Sequence, residues 1–216
     1  MTQNPTPTAR RDAQATRKRL LEAAIDVFSE HGPQAATIDD ICSNACVNKR
    51  MVYHYFQDKN DLYEESLKCI YERFYSLEIE LGTMMLPAEQ LLETLVHRYY
   101  LFLSEHPQFV RLISYENLNR GQAASKLQLQ GQKAPVVTAL TLALDKGKSE
   151  GRFKSEVDVT DLLVSIFALC FFYFSNHFTM SLFLGERALN PARIEKRIKH
   201  VVALLLEGIT VHEFKS

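Results

Sequence analysis

Apolar residues along this chain recur with the 3.6-residue period of helices and nowhere alternate as strands do. Residues 1–13 mix Thr, Gln, Asn and Pro with Arg10 and Arg11, show no apolar period, and read as a flexible arm. From Thr16, Leu21, Ala24, Ile25 and Phe28 define a first helix that stops at His31-Gly32-Pro33, glycine followed by proline. Thr37 with Asp40 three residues on is close to a capping box, so a second short helix starts at Ile38 and runs to about Ala45. Asn48 can cap a third helix. Asp58, with Asp61 three residues later, caps a fourth that reaches about Leu81. Two short helices split by a turn, behind a longer one, form a helix-turn-helix pattern.

After Pro87 the chain reads as helical almost to its end, with breaks at His106-Pro107, Gly121, Gly131, 147–151, Gly185 and Asn190-Pro191. The last helix has Pro191 in its first turn and carries Ile194, Ile198, Val201, Leu205 and Ile209 as one stripe, with Glu195, Lys196, Arg197 and Lys199 largely off it. Such a stripe requires a partner helix. The preceding segment, 159–184, is apolar nearly all round, as suits a helix buried on several sides. Together with 191–214 it is expected to supply two helices per chain to a four-helix bundle between two copies. Glu at Val201 and Leu205 is then expected to give monomers. The expected fold class is all-α: after the arm, a three-helix domain with a helix-turn-helix over 14–60, then a larger helical domain over 61–216.

A length of 216 residues falls between one large domain and two small ones and permits a sizeable core. The hydrophobic share of 46% is ordinary, and the net charge of −1 means that any nucleic-acid contact must come from a local patch. One cluster, Arg10, Arg11, Arg17, Lys18 and Arg19 against Asp12, fits either phosphate or minor-groove contact or a merely solvated surface. Cys42, Cys46, Cys69 and Cys170 lack C-x2-C pairing and no secretory signal opens the chain, so a reducing cytoplasm is the expected setting. Cys42 and Cys46 lie one helical turn apart but have no nearby Cys or His to complete four ligands, and read as buried thiols.

The uncharged stretch 162–185 is long enough to span a bilayer. Its strongly apolar part, 162–174, has only the length of a core helix, and Ser175, Asn176, His177, Thr179 and Ser181 follow, so no membrane segment is read there. No Glu precedes any of the seven histidines by three, as a di-iron bundle would require. Phosphate-binding glycine loops, H-E-x-x-H and G-x-S-x-G are also missing from the sequence, so no catalytic residue, cofactor or metal ligand is assigned.

Thr37-Ile38-Asp39-Asp40-Ile41, then Val47-Asn48-Lys49-Arg50-Met51-Val52-Tyr53-His54-Tyr55-Phe56, then Asp58-Lys59-Asn60-Asp61-Leu62 resembles the DNA-binding signature of the tetracycline-repressor (TetR) family, over about residues 16–65. The resemblance implies a transcriptional regulator that binds double-stranded operator DNA as a homodimer, a repressor released by a small-molecule effector. It puts Lys49, Arg50, Met51 and His54 where members reach base edges. Thr37, Asn48, Tyr53, Tyr55 and Lys59 fall where members mainly hold phosphates or brace the recognition helix. Arg pairs bidentately with guanine, while hydroxyls, helix N-termini and Lys grip the backbone, so the residue types suit those roles. Packing of Tyr53 and Phe56 as core braces is an equal alternative.

Two positions depart from the family pattern. Members often carry glycine where Cys46 stands in the turn and where Arg50 stands in the recognition helix. A non-glycine residue in a left-handed turn costs roughly 1 kcal/mol. For the second domain the resemblance implies only a pocket walled by helices between Pro87 and Leu184. Its candidates for a small, largely apolar effector are Tyr99, Phe102, Phe109, Tyr115, Asn119, Phe171, Phe174, Asn176, His177 and Phe178. Of these, Asn176 and His177 are polar groups amid Phe, and buried polar groups need partners.

Overall fold

The computed structural model describes the backbone of residues 7–127, 135–185 and 189–211, with side chains from Ala13 onward. The first six residues of the expected arm, the side chains of Arg10 and Arg11, the break at Gly131 and the chain beyond Val211 lie outside the described residues. Among the described residues there are ten α-helices, one 3-10 turn and no strand. They group into two compact units, Met1–Glu72 with Arg111–Gln130, and Arg73–Val110 with Gly131–Ser216.

In the first unit, α1 spans Pro7–Ala35. It thus begins inside the stretch read as an arm: Ala, Arg and Gln favour helix even where no apolar period announces one. Gly32 interrupts α1 with φ 78°, and a Cβ there would lie 3.0 Å from the Tyr115 ring. Here α2 (Ile38–Ala45) and α3 (Lys49–Tyr55) follow. The unit also takes the first part of α4 (Lys59–Gly82), the end of α6 (Pro107–Leu118) and the 3-10 turn Ala124–Leu127. Its core joins Leu20, Ala24 and Phe28 of α1 to Ile41, Val52, Leu62 and Leu67, all fully buried. Phe28 meets Tyr63 edge-on at 5.1 Å.

In the second unit α5 (Ala88–Glu105) is central and contacts α7 (Pro135–Ser149), α8 (Val159–Ser175) and α10 (Pro191–Ile209). Leu91, Leu92, Leu95, Val96, Tyr99, Tyr100 and Leu103 are buried around it. The stripe of the last helix is therefore satisfied within one chain: Ile198, Val201, Leu205 and Ile209 are buried, and α10 packs chiefly on α5. This corrects the expectation that Val201 and Leu205 face a second copy.

The segment 159–184 is likewise two helices, α8 and α9 (His177–Leu184), bent by 75° at Asn176. Local side chains end α8 by taking its last carbonyls. Asn176 Nδ2 donates to Phe172 O at 3.3 Å, and His177 Nδ1 lies 2.7 Å from Phe174 O. No residue of α9 is buried. Among the described residues no single helix is long and apolar enough to cross a membrane, although the bent pair passes that test by length and composition.

Candidate nucleic-acid interface

Local caps fix the ends of α2 and the starts of α3 and α4. Thr37 Oγ1 accepts from Asp40 N at 3.1 Å while Asp40 Oδ2 accepts from Thr37 N at 3.1 Å, a complete capping box. These bonds hold the Asp40 carboxyl below its ordinary range, the Thr37 hydroxyl contributing most and the Thr37 N–H next. Cys46 ends α2 in the left-handed region at φ 53°, ψ 46°. Asn48 Oδ1 then accepts from Met51 N at 3.2 Å and starts α3. Asp58 opens α4 by accepting from Asn60 N and Asp61 N at 2.8 and 2.9 Å.

Burial divides α3 cleanly. Val52 is fully buried, and Phe56, its C-cap, is 2% exposed. Asn48, Lys49, Arg50, Tyr53 and His54 are exposed, and Met51 and Tyr55 are half-buried. The pairs Lys49/Tyr53 and Arg50/His54 are each four residues apart, so the exposed groups share one helical face. Lys49 Nζ lies 3.0 Å from Asp39 Oδ1, a bond that ties α3 to α2 and raises the Lys49 pKa. Among the described residues Arg50 has no ion pair. His54 meets Tyr55 edge-on at 4.8 Å.

Two cations have structural employment. Lys59 Nζ donates to Gln34 O at 3.2 Å and Ala36 O at 3.0 Å, satisfying carbonyls at the end of α1. Arg17 bonds Glu65 at 2.5 Å and lies over the Phe56 ring at 5.1 Å, while Lys18 and Arg19 stay exposed. A buried acid that sequence reasoning passed over braces the same unit. Glu116, 4% exposed, accepts from Tyr63 OH at 2.9 Å and from Ala123 N and Ala124 N at 3.2 and 2.9 Å. Its position on the stripe Phe109, Leu112, Ile113, Glu116 was the available signal.

The effector candidates separate into three places. Tyr99, Phe102, Phe109 and Phe171 come together in one aromatic cluster, built around Phe74 and Phe167, which sequence reasoning missed. The Phe74 ring lies 5.4, 5.3, 5.1 and 5.8 Å from Tyr99, Phe102, Phe109 and Phe167, and Phe171 stacks on Phe167 at 5.3 Å. Glu78 accepts from Tyr99 OH at 2.9 Å, and burial pushes its carboxyl above the usual range. Tyr115 and Asn119 belong to the first unit, where Tyr115 packs on Gly32 and Asn119 Oδ1 accepts from Gln34 at 3.3 Å. Phe174 packs on Tyr100, Asn176 and His177 form the break before α9, and Phe178 is 69% exposed.

Comparison with known proteins agrees with this geometry. Residues 20–66 match the bacterial regulatory proteins of the tetR family, and residues 87–205 the tetracyclin repressor-like C-terminal domain. The chain is 35% identical over 174 residues to the HTH-type transcriptional repressor NicS of Pseudomonas putida, covering 80% of this chain and 82% of NicS. An HTH-type transcriptional repressor of Streptomyces coelicolor is 27% identical over 161 residues, 74% of this chain and 79% of its own length. The structure of FadR from Bacillus subtilis, solved in complex with stearoyl-CoA, has the same fold, with a TM-score of 0.66 at 18% identity over 91% of this chain and all of FadR. Capped helix-turn-helix, helical second unit and both family matches make this chain a member of the TetR family, a DNA-binding transcriptional regulator and not an enzyme.

Proposed function

We propose that this protein is a homodimeric repressor that reads operator DNA through α3 and is released by a small, largely apolar effector held in the second unit. One observation carries the reading: α3 presents Lys49, Arg50, Tyr53 and His54 outward on a helix anchored from behind by Val52 and Phe56. Arg50, Met51 and His54 read base edges. Lys49 joins them when DNA competes with Asp39. Thr37, Asn48, Tyr53 and Tyr55 hold phosphates or brace α3, and Lys59 does so from the start of α4. That NicS and the Streptomyces relative are repressors supports the direction of control.

The dimer face is the outward side of α8 and α10, where Val164 is 63% and Leu204 49% exposed beside the small residues Ala168 and Ala203. Two copies joined there read half-sites one turn of duplex apart, about 34–36 Å. The effector enters the cluster of Phe74, Tyr99, Phe102, Phe109, Phe167 and Phe171. Both α4 and α6 run unbroken from one unit into the other, so a shift at these rings has a continuous backbone route to the reading head. Reversing a 99:1 preference for the operator-competent form needs a differential affinity of about 5.5 kcal/mol.

The test is selection of bound sequences from random duplex DNA, followed by mobility shift with the wild type and Arg50→Ala. The selected sites should show two-fold symmetry, and Arg50→Ala should lose about 1–3 kcal/mol and relax one base pair per half-site. Failure to enrich any sequence would overturn the proposal.

A further inference from the structure

Between Thr37 and Tyr55 the chain carries two acids, Asp39 and Asp40. Asp40 is engaged in the capping box with Thr37, whereas the Asp39 carboxylate takes no part in a cap. The Asp39 side chain is 74% exposed and reaches from α2 to the first residue of α3: Lys49 Nζ lies 3.0 Å from its Oδ1 and 3.2 Å from its Oδ2. The first turn of α3 holds Lys49 and Arg50 and no acid of its own. Asp39 therefore places an anion beside the cations of the exposed face of α3.

Exposed ion pairs add little to stability. Against DNA a carboxylate also costs affinity, because it repels the phosphates that cations attract, unless it meets a hydrogen-bond donor. The major groove offers such donors in cytosine N4–H and adenine N6–H. In a G·C pair the cytosine donor adjoins a guanine edge of two acceptors, O6 and N7. Guanine O6 and cytosine N4 are bonded to each other across the pair, so they lie one hydrogen bond apart. Lys49 Nζ and Asp39 Oδ1, a donor and an acceptor, have that same spacing. An ammonium has three N–H groups: one stays with Asp39, and two are left for guanine.

We propose that Asp39 is a specificity-determining residue that, joined to Lys49, reads one G·C pair in each half-site. Lys49 donates to guanine O6 and N7, and Asp39 accepts from cytosine N4. DNA then takes Lys49 from Asp39 only in part. A T·A pair offers the ammonium O4 beside a methyl group in place of two acceptors. With the pair reversed, Asp39 faces an acceptor, a repulsion that rejects that sequence. The assignment rests on α3 being the reading helix, as proposed above.

Selection from random duplex DNA with the full chain, as wild type, Asp39→Ala, Lys49→Ala and Arg50→Ala, tests it. The wild type should fix a G·C pair in each half-site that Asp39→Ala and Lys49→Ala both relax and Arg50→Ala leaves fixed. In mobility shift the preference lost at that pair should be about tenfold. On duplexes without the site Asp39→Ala should bind as tightly as the wild type or tighter, an outcome that a damaged fold would not give. A merely structural bridge would weaken every duplex alike and relax no position, which overturns the proposal. So does a pair relaxed by Lys49→Ala but kept by Asp39→Ala, or a relaxed pair that is A·T in the wild-type site. If Arg50→Ala relaxes its own position while Asp39→Ala relaxes none, the failure belongs to Asp39 alone; if no variant relaxes any position, the reading of DNA by α3 fails with it.

Discussion

At the scale of single residues, the helix-turn-helix rests on a few side chains whose removal has calculable effects. Thr37→Ala deletes one half of the capping box and should cost about 1 kcal/mol in urea unfolding. Asp40 carries a pH dependence of known sign. Its folded-state pKa is depressed, so its contribution is present above the unfolded value, about 3.9, and is lost as pH falls through the folded value. Asp40→Asn should therefore flatten the acid side of a stability-against-pH curve; an unchanged acid limb would mean that the cap does not persist in solution. Glu78 has the opposite sign. Its pKa is raised by burial, so the charged form costs stability as pH climbs through the folded value. Glu78→Gln, which keeps an acceptor for Tyr99, should raise the unfolding midpoint at pH 7 and have no such benefit near pH 4.

At the scale of elements, the end of α6 is held to α4 by a buried carboxylate. Tyr63→Phe keeps the ring against Phe28 but removes the O–H that Glu116 accepts, leaving a buried oxygen short of a donor. The expected loss is about 1–3 kcal/mol by chemical denaturation, with the helical circular dichroism unchanged. A change within error would show that water replaces the hydroxyl. The turn after α2 tests backbone strain in the other direction. Cys46 sits at φ 53°, so Cys46→Gly should stabilise by up to about 1 kcal/mol, the left-handed penalty less the added chain entropy of glycine.

At the scale of the whole molecule, the two sides of α10 differ in exposure. Val201 and Leu205 are 0% and 7% exposed and pack inside the chain, so Glu at both should abolish cooperative unfolding rather than yield folded monomers. Leu204 and Val164 face outward. Val164→Glu with Leu204→Glu should leave a folded chain that sediments as a monomer and binds the operator weakly, because one reading head neutralises half as many phosphates. A dimer persisting in that variant would place the interface elsewhere.

Local chemistry alone determined much of this protein. The Thr37–Asp40 box, the Asn48 and Asp58 caps and the Gly32 break are local features of the chain, so the sequence carries them in full. Partners distant in the chain were beyond its reach. That Lys59 reaches back to the Gln34 and Ala36 carbonyls, or that Tyr63 meets Glu116, depends on how helices pack, which no spacing rule specifies. The apolar stripe of α10 announced that it would be buried, but only the tertiary structure decided against what. Burial requires any complementary apolar surface, and α5 of the same chain supplied it before a second copy was needed.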